Sequence, residues 1–316
     1  MKILVGDTGF VGSNLMEYMY FDRTYNSRNI AEAYGLKPDI LVYAGVRGTK
    51  FIANKFPEND KKNIRDAIEN ITKIAPKKLI LISTVDVYDN LDGVDEDHKI
   101  NPENLHTYGK NRYDLEQWVI NHFNNYHILR LPAIYGKNIK KNFIYDLINP
   151  IPPYLTIKDI EKVHNEYTEI YQYYKKDGEL YKLVNSDKEL YSYFENSNYN
   201  TLRFTDSEAS YQFLNLNQLH KIINEVVDKN ILVLNCVTEQ IKSNELYKFV
   251  FKSSFNNKIS DYPINYDIRT KYKLEGFNVC HQSHYLMNKK GVIIDLSNYI
   301  NKEKEKYEFC ITDSRL

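Results

Sequence analysis

An α/β fold built on a doubly wound parallel sheet, with a smaller and discontinuous second domain, is predicted by three observations. Short apolar runs alternate with segments of helical spacing up to Gly136. The first run closes on a glycine-rich turn. The alternation stops after Gly136 and returns near residue 217. Strands alternating with helices require right-handed crossovers and give a mainly parallel sheet.

The elements follow in order. Lys2–Val5 is a short buried strand closed by Gly6, and Val11–Met19 has helical character. Asp39–Tyr43 is a second buried strand. Asn59–Ile74 has helical spacing, with Ile64, Ala67, Ile68 and Ile71 on one face. Lys78–Ser83 carries the strongest strand signal, Arg112–Phe123 reads as a helix and His127–Leu131 as a strand. A helix at 217–227 and a strand at 231–235 bring the sheet pattern back. The first domain is therefore 1–136 plus about 211–235, and the second about 137–210 plus 236–316. The second opens with Pro150, Pro152 and Pro153 and is rich in Tyr, Asn, Lys and Glu. The 28 tyrosines have two readings, a ring-stacking lid or the base composition of an AT-rich genome.

Composition excludes several classes. Among 316 residues, 42 basic and 42 acidic side chains cancel, which argues against a nucleic-acid or anionic-membrane binder. Cys236, Cys280 and Cys310 lie far apart without a CxxC pair, so neither a disulfide framework nor a metal site is expected. No apolar run approaches the roughly 18 residues of a membrane helix. The stretch Ile3–Val5 is too short for a signal peptide, and a cytoplasmic location is expected.

Gly6, Gly9 and Gly12 form a GxxGxxG between the first strand and the first helix. Glycines there let the chain turn tightly and bring backbone N–H groups to a pyrophosphate at the helix N-terminus, the Rossmann-type arrangement. The spacing is not the GxGxxG form, and a purely structural strand–helix turn is the other reading.

These residues carry a family resemblance. The run Gly6-Asp7-Thr8-Gly9-Phe10-Val11-Gly12-Ser13-Asn14-Leu15 resembles the TGxxGFxGSxL opening of the extended short-chain dehydrogenases/reductases, the nucleotide-sugar epimerase/dehydratase group. Ser83-Thr84-Val85-Asp86-Val87-Tyr88 resembles their SSxxVY strand end. Tyr108-Gly109-Lys110-Asn111-Arg112, continuing to Glu116, is similar to YGxSKxxxE. Leu129-Arg130 through Tyr135-Gly136 resembles LRxxNxYG, and Leu234-Asn235 with Glu245-Leu246 fits a looser pattern. The loop Ala44-Gly45-Val46-Arg47-Gly48, with Ala53-Asn54 and Pro57, is similar to that of the GDP-L-fucose synthases.

The resemblance implies a site. Tyr108 is the acid/base, Thr84 orients the reacting sugar oxygen, and Gly6, Thr8, Gly9, Phe10, Val11, Gly12, Ala44 and Gly45 line the dinucleotide. A tyrosine serves only if its pKa near 10 is lowered by a neighbouring cation. The family's Lys four residues after the Tyr is here Arg112, whose fork differs from an ammonium. Arg112 either tunes Tyr108 and holds the nicotinamide ribose or is an exposed cation near the start of a helix. Lys110 faces another way on a helix. Val85 replaces the acid that dehydratases place after the Thr, which disfavours dehydration. Asp86, next along, either deprotonates a carbon beside a ketone, binds a sugar hydroxyl, or caps a turn.

Asn26, Ser27 and Arg28 stand where the second strand should end, with no acid before Glu32. An acid there selects NAD, whereas Arg and Ser suit the 2′-phosphate of NADP, so NADP is expected with NAD as the alternative. Asn142 falls near the family's Asn or His over the substrate, and Arg203 and Arg269 are candidates for a substrate diphosphate. The expected activity is reduction of a 4-keto sugar nucleotide. A nucleotide-sugar epimerase with tightly held NAD shares every motif, and a non-catalytic dinucleotide sensor is the third reading. A homodimer is expected by analogy.

Overall fold

The computed structural model describes residues 1–277 and 284–313, with only the backbone of 307–313. Cys280 and the Cys310 side chain lie outside the described residues. Cys236 is buried and free. The chain divides into two compact units, Met1–Ile139 with Tyr211–Gln240 and Asn265–Val292, and Lys140–Ser210 with Ile241–Ile264 and Ile293–Leu316.

The first unit holds a six-stranded sheet of β1 (Lys2–Val5), β2 (Arg23–Tyr25), β3 (Ile40–Tyr43), β4 (Leu79–Thr84), β5 (Tyr126–Leu131) and β6 (Val233–Asn235). The order is β6-β5-β4-β3-β1-β2, parallel throughout. Helices α1 (Phe10–Met16), α2 (Pro57–Ile74), α3 (Thr107–His122) and α4 (Leu219–Asp228) flank it, and a short helix, Lys50–Lys55, leads into α2. The chain leaves β1 for one neighbour and returns on its other side as β3. The carboxyl ends of β1 and β3 therefore border the crevice where such sheets bind ligands.

Strand side chains alternate between the two faces. Leu4, Val42, Ile80 and Leu129 pack under α1 and α4 with Leu15, Ile222 and Val226. Ile3, Val5, Leu41, Leu81 and Ile128 face α2 and α3, meeting Ile64, Ala67, Ile71, Leu115 and Val119. Burial on both faces explains why β1, β3 and the first part of β4 are continuous apolar runs rather than alternating ones, while the edge strand β2 is Arg-Thr-Tyr.

Two expectations are corrected here. The helix expected from Arg112 begins at Thr107, because the His106 ring accepts a hydrogen bond from the Gly109 N–H and caps the first turn. Tyr108 thus lies on the helix itself. Residues 265–292, given to the second domain above, belong to the first unit. There Asp267 N–H donates to the Leu91 carbonyl and Arg269 N–H to that of Val94, both at 2.7 Å.

In the second unit, Tyr154–Thr156, Tyr174–Asp177 and Leu180–Leu183 form an antiparallel sheet with the third strand in the middle. Leu155, Ile160, Val163, Tyr174, Leu190 and Phe194 make its core. Tyr167 stacks on Tyr173 and Tyr193. These tyrosines therefore work as packing within their own unit.

A buried ion pair ties the first unit together. Glu116 of α3, fully buried, takes three hydrogen bonds from Arg130 of β5 and one from the Ser83 hydroxyl of β4. Arg130 also donates to the Tyr88 hydroxyl at 2.8 Å, and the Asn235 amide of β6 donates to the same oxygen. Replacing Glu116 with Ala leaves a buried guanidinium without its counter-charge, and a loss of about 3–5 kcal/mol is expected in urea unfolding. Replacing Lys110, which pairs with Glu103 on the surface, should cost under about 1 kcal/mol.

Candidate active site

The glycine turn is built by close approach. Gly6 has φ +99°, and a Cβ there would lie 2.5 Å from the Ala44 carbonyl oxygen. A Cβ on Gly12 would lie 2.1 Å from the Gly6 carbonyl oxygen. Gly6 N–H donates to the Tyr25 carbonyl at 2.7 Å, and Gly9 N–H to that of Gly6 at 3.0 Å. The turn thus lies flat against the ends of β2 and β3, with Thr8 and Gly9 exposed and no side chain capping α1. Phe10 and Val11 pack against the core, so any ligand contact from them falls to the backbone. Gly45 follows β3, where a Cβ would meet the Val5 side chain at 3.0 Å.

Past β2, the Asn26 amide donates to Asp7 at 3.0 Å and its carbonyl takes the Arg28 N–H. Asn26 therefore braces the glycine turn, while the Ser27 and Arg28 side chains are exposed beside it.

Tyr108 is buried near the start of α3. Its hydroxyl faces Gly48, whose added Cβ would sit 3.9 Å away. Burial pushes its pKa up, while the Arg112 charge and the Thr84 hydroxyl pull the other way. The helix comes this close because position 109 is glycine: a Cβ there would lie 2.1 Å from the Asp86 carbonyl oxygen.

Arg112 is only 4% exposed and lies face-on to Tyr108, its guanidinium carbon 3.9 Å from the ring centre. It is ion-paired with the buried Asp60 of α2 and donates to the Arg47 carbonyl at 2.5 Å and the Tyr108 carbonyl at 3.3 Å. Asn111 also donates to Asp60. The reading of Arg112 as an exposed cation is thereby corrected, because a buried acid faces it. Both of its terminal nitrogens already donate within the protein.

Beside them, Asp86 Oδ1 receives Lys50 Nζ at 2.7 Å and the Tyr266 hydroxyl at 2.9 Å. Lys50 also lies 3.3 Å from Tyr266, and His106 Nε2 stands 3.9 Å from Asp86. The Asp86 N–H donates to Thr84 Oγ1. Val85 is buried in a small apolar cluster with Val87, Val237 and Ile268.

The remaining candidates are dispersed. Arg269, in the first unit, pairs with Asp267 and rests against Gly93, whose added Cβ would lie 3.5 Å from the guanidinium carbon. Asn142 and Arg203 belong to the second unit. The Asn142 side chain caps a short helix by accepting from the N–H groups of Ile144 and Tyr145. Arg203 pairs with Asp159 and covers the Phe204 ring. Among the described residues, no group of His, Cys, Asp or Glu is arranged to hold a metal ion, and no helix is long and apolar enough to cross a membrane.

Lys50, Asp60, His106 and Tyr266 were not read from the sequence. Asp60 was legible: it shares the face of Ile64, Ala67 and Ile71, and a carboxylate on an apolar stripe calls for a buried partner. Lys50 and Tyr266 carry no local signal, being 216 positions apart.

Comparison with solved structures places this fold. A dTDP-4-dehydrorhamnose reductase from Bacillus anthracis str. Ames, in complex with NADP, is 17% identical with a TM-score of 0.61, covering 96% of this chain and 99% of that one. RMD from Pseudomonas aeruginosa, complexed with NADPH, is 12% identical with a TM-score of 0.58, covering 98% and 100%. A UDP-N-acetylglucosamine 4-epimerase from Methanobrevibacter ruminantium M1 is 14% identical with a TM-score of 0.54 over the full length of both chains. The protein has the Rossmann-like α/β fold of these enzymes. Residues 1–151 match the family described as the RmlD substrate binding domain. No curated protein matches the chain in sequence.

The glycine geometry gives a graded expectation. Gly12→Ala has no room and should abolish dinucleotide binding with a loss of about 1–3 kcal/mol in stability. Gly9→Ala, exposed and with 3.1 Å to the nearest atom, should weaken dinucleotide binding while costing less stability than Gly12→Ala. Calorimetric titration with NADPH and urea unfolding of the two variants check the order.

Proposed function

We propose that the protein is an NADP-dependent oxidoreductase that reduces the 4-keto group of a nucleotide-activated sugar. The observation that carries the reading is Tyr108, buried beside Thr84 and under the Arg112 charge, in the same unit as a glycine turn with no room for a Cβ at Gly6 or Gly12. The RmlD match over that region and the fold shared with reductases solved with NADP or NADPH support it.

The residues fit such a cofactor. Gly6, Gly9 and Gly12 clear the backbone for its pyrophosphate, with Thr8 at the rim. Exposed Ser27 and Arg28 suit a 2′-phosphate, and Ala44 and Gly45 supply backbone at the end of β3. When bound, the cofactor supplies the hydride. Thr84 holds the carbonyl oxygen and Tyr108 gives it a proton, completing the alcohol. Arg112 lies over the ring and stabilises the tyrosinate left behind. A donor must be protonated, so reduction holds below the Tyr108 pKa and falls as pH rises through it. Asp86 accepts from a sugar hydroxyl, and Arg269 offers its half-exposed guanidinium to the diphosphate.

Two measurements test this. Tyr108→Phe should lower kcat for NADPH-dependent reduction of 4-keto sugar nucleotides by about 10²–10⁴-fold, with NADPH affinity unchanged in a fluorescence titration. Full activity in that variant would remove Tyr108 from the chemistry. Arg28→Ala should weaken NADPH binding and leave NADH binding as it was. Equal losses for both would move the 2′-phosphate contact elsewhere.

A further inference from the structure

We propose that Lys50 is a positioning residue of the acid/base centre, holding the Asp86 carboxylate against Tyr266 and balancing its charge beside Tyr108. The inference rests on the proposed role of Tyr108 and adds a cation that the YxxxR spacing does not supply.

Arg112 does not balance Asp86. Its charge is matched by buried Asp60, and its guanidinium lies on the face of the Tyr108 ring rather than at the hydroxyl. That pair leaves Asp86 without compensation from α2 or α3. Asp86 immediately follows Val85 at the end of β4, and its negative charge acts on Tyr108. Lys50 answers it directly at 2.7 Å. The loop that leads into the Lys50–Lys55 helix brings Gly48 to the Tyr108 hydroxyl, so one short segment supplies both the clearance and the cation.

The groups facing Tyr108 come from every neighbouring element. Arg112 lies on its own helix and Asp60 on α2. Thr84 and Asp86 come from β4 and its continuation, Lys50 from the first turn of the short helix Lys50–Lys55, and Tyr266 from the 265–292 segment. His106 caps the helix. Its Nδ1 accepts from Gly109, which assigns the proton to Nε2. Burial and Lys50 lower its pKa, so it stands near Asp86 as a neutral ring. Lys50 is thus the cation in contact with Asp86, and its side chain is 40% exposed, so its replacement does not open the core.

The sign follows. Without Lys50, Asp86 keeps an uncompensated charge that opposes ionisation of Tyr108, and the tyrosine becomes a weaker acid. Removing Asp86 as well removes the effect.

The test reads the tyrosine itself and the reaction separately. Tyr108→3-fluorotyrosine, introduced at that one position, reports its ionisation by fluorine NMR, the fluorine bringing the titration to a lower pH. Lys50→Met in that background should raise the midpoint by about one pH unit. Lys50→Arg should restore it, and Lys50→Met with Asp86→Asn should return it towards the parent value. In the enzyme with its native tyrosine, Lys50→Met should lower kcat about tenfold and move the pH profile of kcat/KM in the same direction. An unmoved midpoint in Lys50→Met, or a rise in KM alone, would overturn the proposal. If the parent protein reduces none of the keto-sugars offered, the proposed activity fails, while the fluorine titration still decides whether Lys50 governs Tyr108.

Discussion

Glu116 and Arg130, an acid and a base buried together between α3 and the sheet, fix the frame on which the candidate site stands. Charges buried this deeply are stabilising only when their hydrogen-bonding groups are satisfied. Here Arg130 reaches both the carboxylate and the Tyr88 hydroxyl, and Ser83 supplies one more donor to Glu116. The network joins β4, β5 and α3, and through Asn235 it reaches β6. Its geometric consequence lies close by at two points. Ser83 precedes Thr84, and the helix that carries Glu116 carries Tyr108 two turns earlier.

A second buried pair, Arg112 with Asp60, performs a related task between α2 and α3. An ammonium at position 112 would bring three donors on a flexible stem. The guanidinium instead covers the Tyr108 ring while serving Asp60 and the Arg47 carbonyl at once. An arginine at this position, rather than a lysine, therefore sets the architecture of the centre. Ring support and helix docking fall to Arg112, and charge near the reacting end comes from a different part of the chain.

The sheet was legible in the sequence because its strands are buried on both faces and read as unbroken apolar runs, such as Leu79–Ile82. The glycine turn was legible because Gly6 and Gly12 mark positions where backbone meets backbone. Several of the motif residues read from the sequence join in one network of the frame: Ser83, Tyr88, Glu116, Arg130 and Asn235. What escaped was long-range pairing. Nothing near Arg112 announces an acid 52 positions earlier, and nothing near Asp86 announces a tyrosine 180 positions later. The start of α3 also escaped, since its cap is a histidine ring rather than a short polar side chain.

Gly109 limits how this centre can diverge. Because the α3 backbone rests directly on the Asp86 carbonyl, residues 85–87 have no freedom to shift towards or away from Tyr108. A change of ligand preference cannot come from re-routing that strand end. It must come from side chains, and the segment 44–49 that leads to Lys50 is the nearest part of the chain without helix or strand. Variation between proteins sharing this frame should therefore concentrate in that loop, with the Thr84–Tyr108 spacing held constant beneath it.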